Sequence, residues 1–262
     1  MNDSIVATEL QDGIARVWLN RPQLHNAFDD AVIVRLTAVL RELDADPAVR
    51  VLVLAGRGPS FCAGASLDWM KRMANYGEAE NLRDAGALAQ MLHTLHTFSR
   101  PTIARVHGAA LAGGTGLVSA CDIAVAAEGA SFGTTEVRLG LIPATISPYV
   151  IAAIGSRAAR RYFLTGERFD ARQALSLGLV HEVCDLAQLD ARVDDLCQAL
   201  FAGGPQAQRA AKALVGDVSG RRLDPDLIDD TSRRIAAARA GAEAREGLAA
   251  FFGKRAPSWR LS

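Results

Sequence analysis

Short apolar runs open the chain, and a helical period follows them. Ile5-Val6-Ala7 and Ile14-Ala15-Arg16-Val17-Trp18-Leu19 flank Asp12-Gly13. That pair favours a tight hairpin turn, because both residues tolerate a left-handed backbone. Asn20-Arg21-Pro22 ends the second strand. Val32, Leu36, Val39, Leu40 and Leu43 recur at helical spacing and predict a helix over 29–43, stopped by Asp46-Pro47. Val51-Leu52-Val53-Leu54 is apolar throughout, as suits a strand covered on both faces.

A second long helix is predicted over 78–98, with Leu82, Leu88, Leu92 and Leu95 along one side and Arg100-Pro101 closing it. Thr102–Val106 and Ile123–Ala126 read as further strands. Strands and helices thus alternate through residue 143, which predicts an α/β architecture. From Ser147 the pattern is helical. Gly178 fits the C-cap of a helix over 171–177, and Leu179–Val183 reads as a last short strand. Ala/Leu-rich helices are predicted over 186–202, 205–215 and 224–252. A core over 1–200 and a helical C-terminal region over 201–262 follow.

Composition narrows the class. Half of the 262 residues are apolar, enough for a large core. Lys+Arg and Asp+Glu number 29 each, so no basic footprint points to nucleic acid. A local basic pocket for a small anion is compatible with that balance. Cys62, Cys121, Cys184 and Cys197 fit neither a zinc set nor a secreted disulfide framework, and read as reduced thiols. His93 and His96 lie three apart on a helix without a placed carboxylate, so they read as packing or surface residues and no metal is expected. Met1-Asn2-Asp3-Ser4 lacks the basic start of a signal peptide, and no apolar stretch approaches the ~18 residues of a membrane span. A cytoplasmic protein is expected.

Candidate chemistry lies in two glycine-bearing stretches, Phe61-Cys62-Ala63-Gly64-Ala65 and Gly108-Ala109-Ala110-Leu111-Ala112-Gly113-Gly114. Each follows an apolar strand-like run, and a helix could start after each. Glycine permits a positive φ and close approach to a ligand, and a helix start offers unpaired N–H groups. Two readings stand. The stretches are ordinary strand-to-helix turns, or they aim two backbone donors at one oxygen and polarise a carbonyl. The second stretch is no dinucleotide or phosphate loop, since it lacks GxGxxG and a following P-loop lysine.

Several motifs stand in a fixed order: Asn20-Arg21-Pro22 with Asn26-Ala27-Phe28; Ser60–Leu67; Pro101–Gly108 with Gly113-Gly114 and Ala120–Ile123; Phe132-Gly133, Glu136 and Leu139–Pro143; and Phe169-Asp170-Ala171 with Leu177–Val180. This set resembles the crotonase superfamily of enoyl-CoA hydratases and isomerases, over nearly the whole chain. The resemblance implies a spiral of ββα units with C-terminal helices that build a homotrimer or a hexamer. It implies an acyl-CoA thioester substrate whose coenzyme A is part of the substrate, with no separate cofactor. It places the Ala65 and Gly113 N–H groups as the oxyanion donors and Glu136 as the catalytic acid. Ala27, Ala63, Leu67, Phe251 and Lys254 are implied substrate contacts, the last two often offered to a neighbouring subunit. Lys71, just after the first loop, reads either as a contact for CoA phosphates or as part of a solvated helix face.

Gly116 departs from the two-glutamate hydratases of the family, which carry a second acid there. Single-glutamate isomerases share the departure. The strings Leu67–Met70, Gly114–Val118 and Glu136–Val150 resemble a bacterial branch that hydrates methylglutaconyl-CoA and isohexenylglutaconyl-CoA. On that resemblance, Gly116 clears volume for a branched acyl group. Arg138, two residues from Glu136 in an extended backbone, pairs with the distal carboxylate. A surface position or a CoA-phosphate contact is the alternative for Arg138. Three functions follow: a hydratase, a Δ3,Δ2-enoyl-CoA isomerase, or a CoA-thioester-binding protein of low turnover.

Overall fold

The computed structural model describes residues 4–260. The signal-peptide reading of the first residues therefore falls largely outside it. Strands β1 (Val6–Gln11) and β2 (Ile14–Leu19) form the expected antiparallel hairpin, with Asp12 at φ 50° and Gly13 at φ 80°. Helix α1 (Asp30–Ala45) follows, its start capped by the Asp29 side chain accepting the Val32 N–H. Next come β3 (Val51–Gly56), α2 (Leu67–Met73), α3 (Glu78–His96) and β4 (Thr102–Val106). Then β5 (Ala109–Leu111) leads into α4 (Gly113–Ala120), followed by β6 (Ile123–Ala127) and β7 (Ser131–Gly133). A 3-10 turn (Glu136–Leu139) precedes α5 (Ser147–Thr165), β8 (Arg168–Asp170), α6 (Ala171–Leu177) and β9 (Glu182–Cys184). The chain closes with α7 (Leu189–Phe201), α8 (Pro205–Val218), α9 (Pro225–Ala240) and α10 (Ala242–Phe252).

The main sheet has the order β1-β2-β3-β4-β6-β9 and is parallel from β2 onward. Its central strands are buried on both faces by the two-residue alternation of their side chains. Leu52 and Leu54 enter the large core with Val32, Leu36, Leu92 and Leu95, whereas Val51, Val53 and Val125 meet Val193, Cys197 and Phe201 of α7. A second, small sheet has the order β5-β7-β8. It stands beside α4 and joins the second glycine stretch to the segment that carries Glu136.

Two sequence expectations change. The strand expected over Leu179–Val183 is displaced to β9: Gly178 takes φ 83°, and Leu179 turns its N–H back to the Ala174 carbonyl. The helix expected over 224–252 is broken at Gly241, whose ψ of 157° ends α9 and starts α10. Among the described residues no helix is long and apolar enough to cross a membrane.

Candidate active site

The two glycine stretches are stitched together through the main chain. Cys62 donates its N–H to Ala109 and accepts the Leu111 N–H, both at 2.9 Å. The Phe61 N–H reaches the His107 carbonyl at 2.8 Å, and the His107 ring holds the Gly58 carbonyl at 2.7 Å. His107 thus orders the first loop. Gly114 lies so close to this seam that a Cβ on it would sit 2.3 Å from the Cys62 carbonyl oxygen. Gly64 takes φ 93°, a conformation glycine adopts without steric cost.

On its other side, the first loop pairs with the segment after β2. Ala63 donates to His25 at 3.0 Å, Phe28 donates to Gly64 and Ser66 donates to Phe28. The bridge between Phe28 and Ala65 therefore uses the Gly64 carbonyl and the Ser66 N–H, and turns the Ala65 N–H away. Gly113 opens α4, where the first N–H groups have no intrahelical partner. Among the described residues neither the Ala65 nor the Gly113 N–H has a backbone acceptor. A Cβ on Gly113 would sit 2.2 Å from Phe28 Cζ, so the Phe28 ring packs on the helix start, with the Trp69 ring 6.0 Å beyond.

Glu136 begins the 3-10 turn. Its Oε2 is buried without a hydrogen-bond partner. Burial pushes its carboxyl above the ordinary carboxylate range, opposed only by a bond from its own backbone N–H. A carboxyl so placed holds a proton closer to neutral pH than an exposed one, which suits proton exchange with a substrate.

The other expected residues divide. Ala27 is buried beside the first loop, and Ala63 is half-buried within it. Leu67 is exposed at the head of α2, and Lys71 lies on the same helix, exposed, 3.5 Å from Asp68. Phe251 and Lys254 are exposed at the end of α10, which packs on α9. Asp122 fixes backbone, accepting the Thr102 N–H and hydroxyl and the Lys212 ammonium. His96 sits edge-on to the Tyr149 ring at 5.2 Å.

Two expectations are corrected. The segment from Glu136 to Arg138 is a 3-10 turn, so residues two apart do not share a side as in extended backbone. The Arg138 stem instead lies against Gly166, near Glu167. The volume at Gly116 is not open. A Cβ there would sit 2.2 Å from Ile146 Cγ2, and Ile146 is buried. Sequence reasoning missed Ile146, Phe28 and Trp69 as neighbours of these loops. The apolar character of Phe28 and Trp69 was visible, but their meeting depends on tertiary placement.

The sequence profile of the family described as enoyl-CoA hydratase/isomerase matches residues 9–261. The chain belongs to that family. Within this crotonase family, it is 32% identical over 262 residues to the 2,3-dehydroadipyl-CoA hydratase of Escherichia coli, covering 99% of each chain. It is 30% identical over 254 residues to the crotonyl-CoA hydratase of Syntrophomonas wolfei, covering 95% of each. Among solved structures, an enoyl-CoA hydratase from Shewanella pealeana superposes with a TM-score of 0.96 at 43% identity, over 98% of this chain and 97% of that one. The crotonase fold and an enzyme of the enoyl-CoA hydratase/isomerase family are thereby shown for this chain.

Proposed function

We propose that the chain reversibly adds water across the α,β double bond of a 2-enoyl-CoA. The observation that carries this reading is a pair of unpaired backbone N–H groups, at Ala65 and Gly113, in loops stitched to each other, together with one buried, unpartnered carboxyl at Glu136. The water oxygen bonds to Cβ, and the π electrons move through Cα onto the thioester oxygen. Ala65 and Gly113 stabilise that enolate oxygen, a contribution of about 3 kcal/mol per donor in comparable sites. Glu136 gives a proton to Cα and takes one from the water, so a single carboxyl ends the cycle as it began. Coenzyme A enters and leaves with the substrate, and no separate cofactor takes part.

The substrate we propose is a branched, methylglutaconyl-type enoyl-CoA. Its support is the resemblance of Glu136–Val150 to that branch. Gly116 and Arg138 add none, given Ile146 and Gly166. The C-terminal helices expose Val215, Ile235, Leu248, Phe251 and Phe252. That apolar surface supports a homotrimer, or a hexamer of two trimers, in which Phe251 and Lys254 reach a neighbouring subunit's CoA.

A specific observation favours a second reading. The place of a second acid is hydrocarbon, as a Δ3,Δ2-enoyl-CoA isomerase with one carboxyl requires. Product masses together with double-bond position separate the readings when the protein meets methylglutaconyl-CoA, crotonyl-CoA and a 3-enoyl-CoA. A gain of one water supports hydration. An unchanged mass with a shifted double bond establishes isomerisation. Silence with binding intact establishes a binding protein. Glu136→Gln abolishes turnover and spares binding; an active variant overturns the mechanism.

A further inference from the structure

The proposed oxyanion donor and the proposed acid lie on different elements, and one buried hydroxyl joins the two. Thr115 is fully buried on the first turn of α4, two residues past Gly113. Its Oγ1 donates to the Ala110 carbonyl at 2.7 Å and accepts the Gly133 N–H at 3.3 Å, with the Gly133 carbonyl 3.1 Å away. Ala110 precedes Gly113 by three residues, and Gly133 precedes Glu136 by three. The hydroxyl therefore clasps the strand that delivers the donor to the strand that delivers the acid.

The main-chain pairing around this clasp is short. Strands β5 and β7 are three residues each and pair through Ala109–Leu111 and Ser131–Gly133. The ladder ends at Gly133, and the Ala112 N–H makes one further bond to the Gly133 carbonyl at 2.7 Å. The buried Gly133 N–H has Thr115 Oγ1 as its side-chain acceptor beside the ladder. An apolar side chain there would remove that bond and the one to the Ala110 carbonyl, leaving the short main-chain ladder alone at the point where the chain leaves the sheet for Glu136.

We propose that Thr115 is a positioning residue for the reaction: through its hydroxyl it fixes the Glu136 carboxyl relative to the Gly113 N–H. The inference rests on the hydratase or isomerase reading above, since it concerns the geometry of that proton transfer. Thr115 itself touches no substrate. Its effect travels through two backbone segments, and misplacement of a reacting group by about 1 Å costs on the order of 100-fold in rate.

The test compares Thr115→Val, of the same shape without the hydroxyl, with Thr115→Ser, which keeps it. Turnover of an enoyl-CoA substrate, its pH profile and thermal unfolding are measured on the intact protein. In Thr115→Val kcat falls about 10- to 100-fold while KM stays within about twofold. The limb of the kcat/KM profile that reports Glu136 also shifts, because its surroundings change. Thr115→Ser recovers to within about threefold of the wild type, as retained hydrogen bonding requires. A lowered melting temperature with wild-type kcat and pH profile overturns the inference, as does a serine variant as slow as the valine one. If Thr115→Val does not fold, Thr115→Cys replaces it. A weaker donor there gives an intermediate kcat, and wild-type kcat overturns the inference. A wild-type chain with no turnover on any enoyl-CoA overturns the functional reading as well, whereas a working wild type beside an unchanged variant overturns this inference alone.

Discussion

Ile146 fills the space that a side chain on Gly116 would need. The Ile146 Cγ2 and Cβ lie 2.2 and 2.8 Å from the position of a Cβ on that glycine, and Leu92 Cδ2 lies 3.7 Å from it. The two residues are a matched pair, small against large, between α4 and the head of α5. A second acid cannot be installed at 116 by substitution at that position alone.

This pairing sets the sign of a stability experiment. Gly116→Ala gains about 1 kcal/mol of helix propensity but overpacks a buried site, which costs about 1–3 kcal/mol. A net loss is expected in urea unfolding. Adding Ile146→Ala removes the closer clashing atom, so the double variant is more stable than the sum of the single changes. Simple additivity between the two sites would overturn the pairing.

Ala112 precedes the proposed donor Gly113 and holds φ 50°, ψ −118°, a region an alanine adopts under strain. Replacing Ala112 with Gly removes a strain of about 1–2 kcal/mol and adds about 0.4–1 kcal/mol of unfolded-state entropy. Denaturant midpoints are therefore expected to rise slightly. A clear fall would show that the Ala112 methyl, which packs near Gly64, contributes more than its backbone costs.

The raised Glu136 carboxyl makes stability depend on pH with a definite sign. In the unfolded chain this group loses its proton around the ordinary value of 4.5, and in the folded chain it does so at a higher pH. Between those two values the unfolded state binds fewer protons, so this group's contribution to stability falls as pH rises. Glu136→Gln has no such dependence. Its stability relative to wild type is expected to grow from about pH 4.5 upward and to level off above the folded value. Parallel curves for the two proteins would contradict the buried carboxyl.

Lys212 is expected to hold α8 to the core. Its ammonium meets Asp122 Oδ2 at 2.7 Å and the Arg100 carbonyl at 3.1 Å, and α8 has no buried residue of its own. The pair is partly exposed, so Lys212→Met is expected to cost about 1 kcal/mol. Hydrogen exchange should accelerate over 205–218 and stay unchanged in β2. Equal acceleration in both would place the effect elsewhere.

The sequence carried most of the frame because its signals are local. Asp12-Gly13 turns the first hairpin, and Gly178 ends α6 in the left-handed region that glycine favours. The small sheet was not legible, since β5, β7 and β8 have three residues each, too few to show a period. The break at Gly241 was hidden within a continuous Ala-rich pattern. At the site, the two glycine loops and the residue Glu136 stood out by motif, but the side-chain surroundings did not. That Ile146 lies on Gly116 and Arg138 on Gly166 depends on how α4, α5 and the 3-10 turn pack, and no spacing along the chain records it.

The seam at Cys62 has a bearing on how such a chain can change over time. The bonds that join the two loops, and the donors that those loops present, belong to the main chain. They are inherited with the path of the backbone and survive replacement of most side chains around them. A lineage holding this seam can exchange its acids and reshape its acyl wall one residue at a time, while retaining the means to hold a negative oxygen at every step.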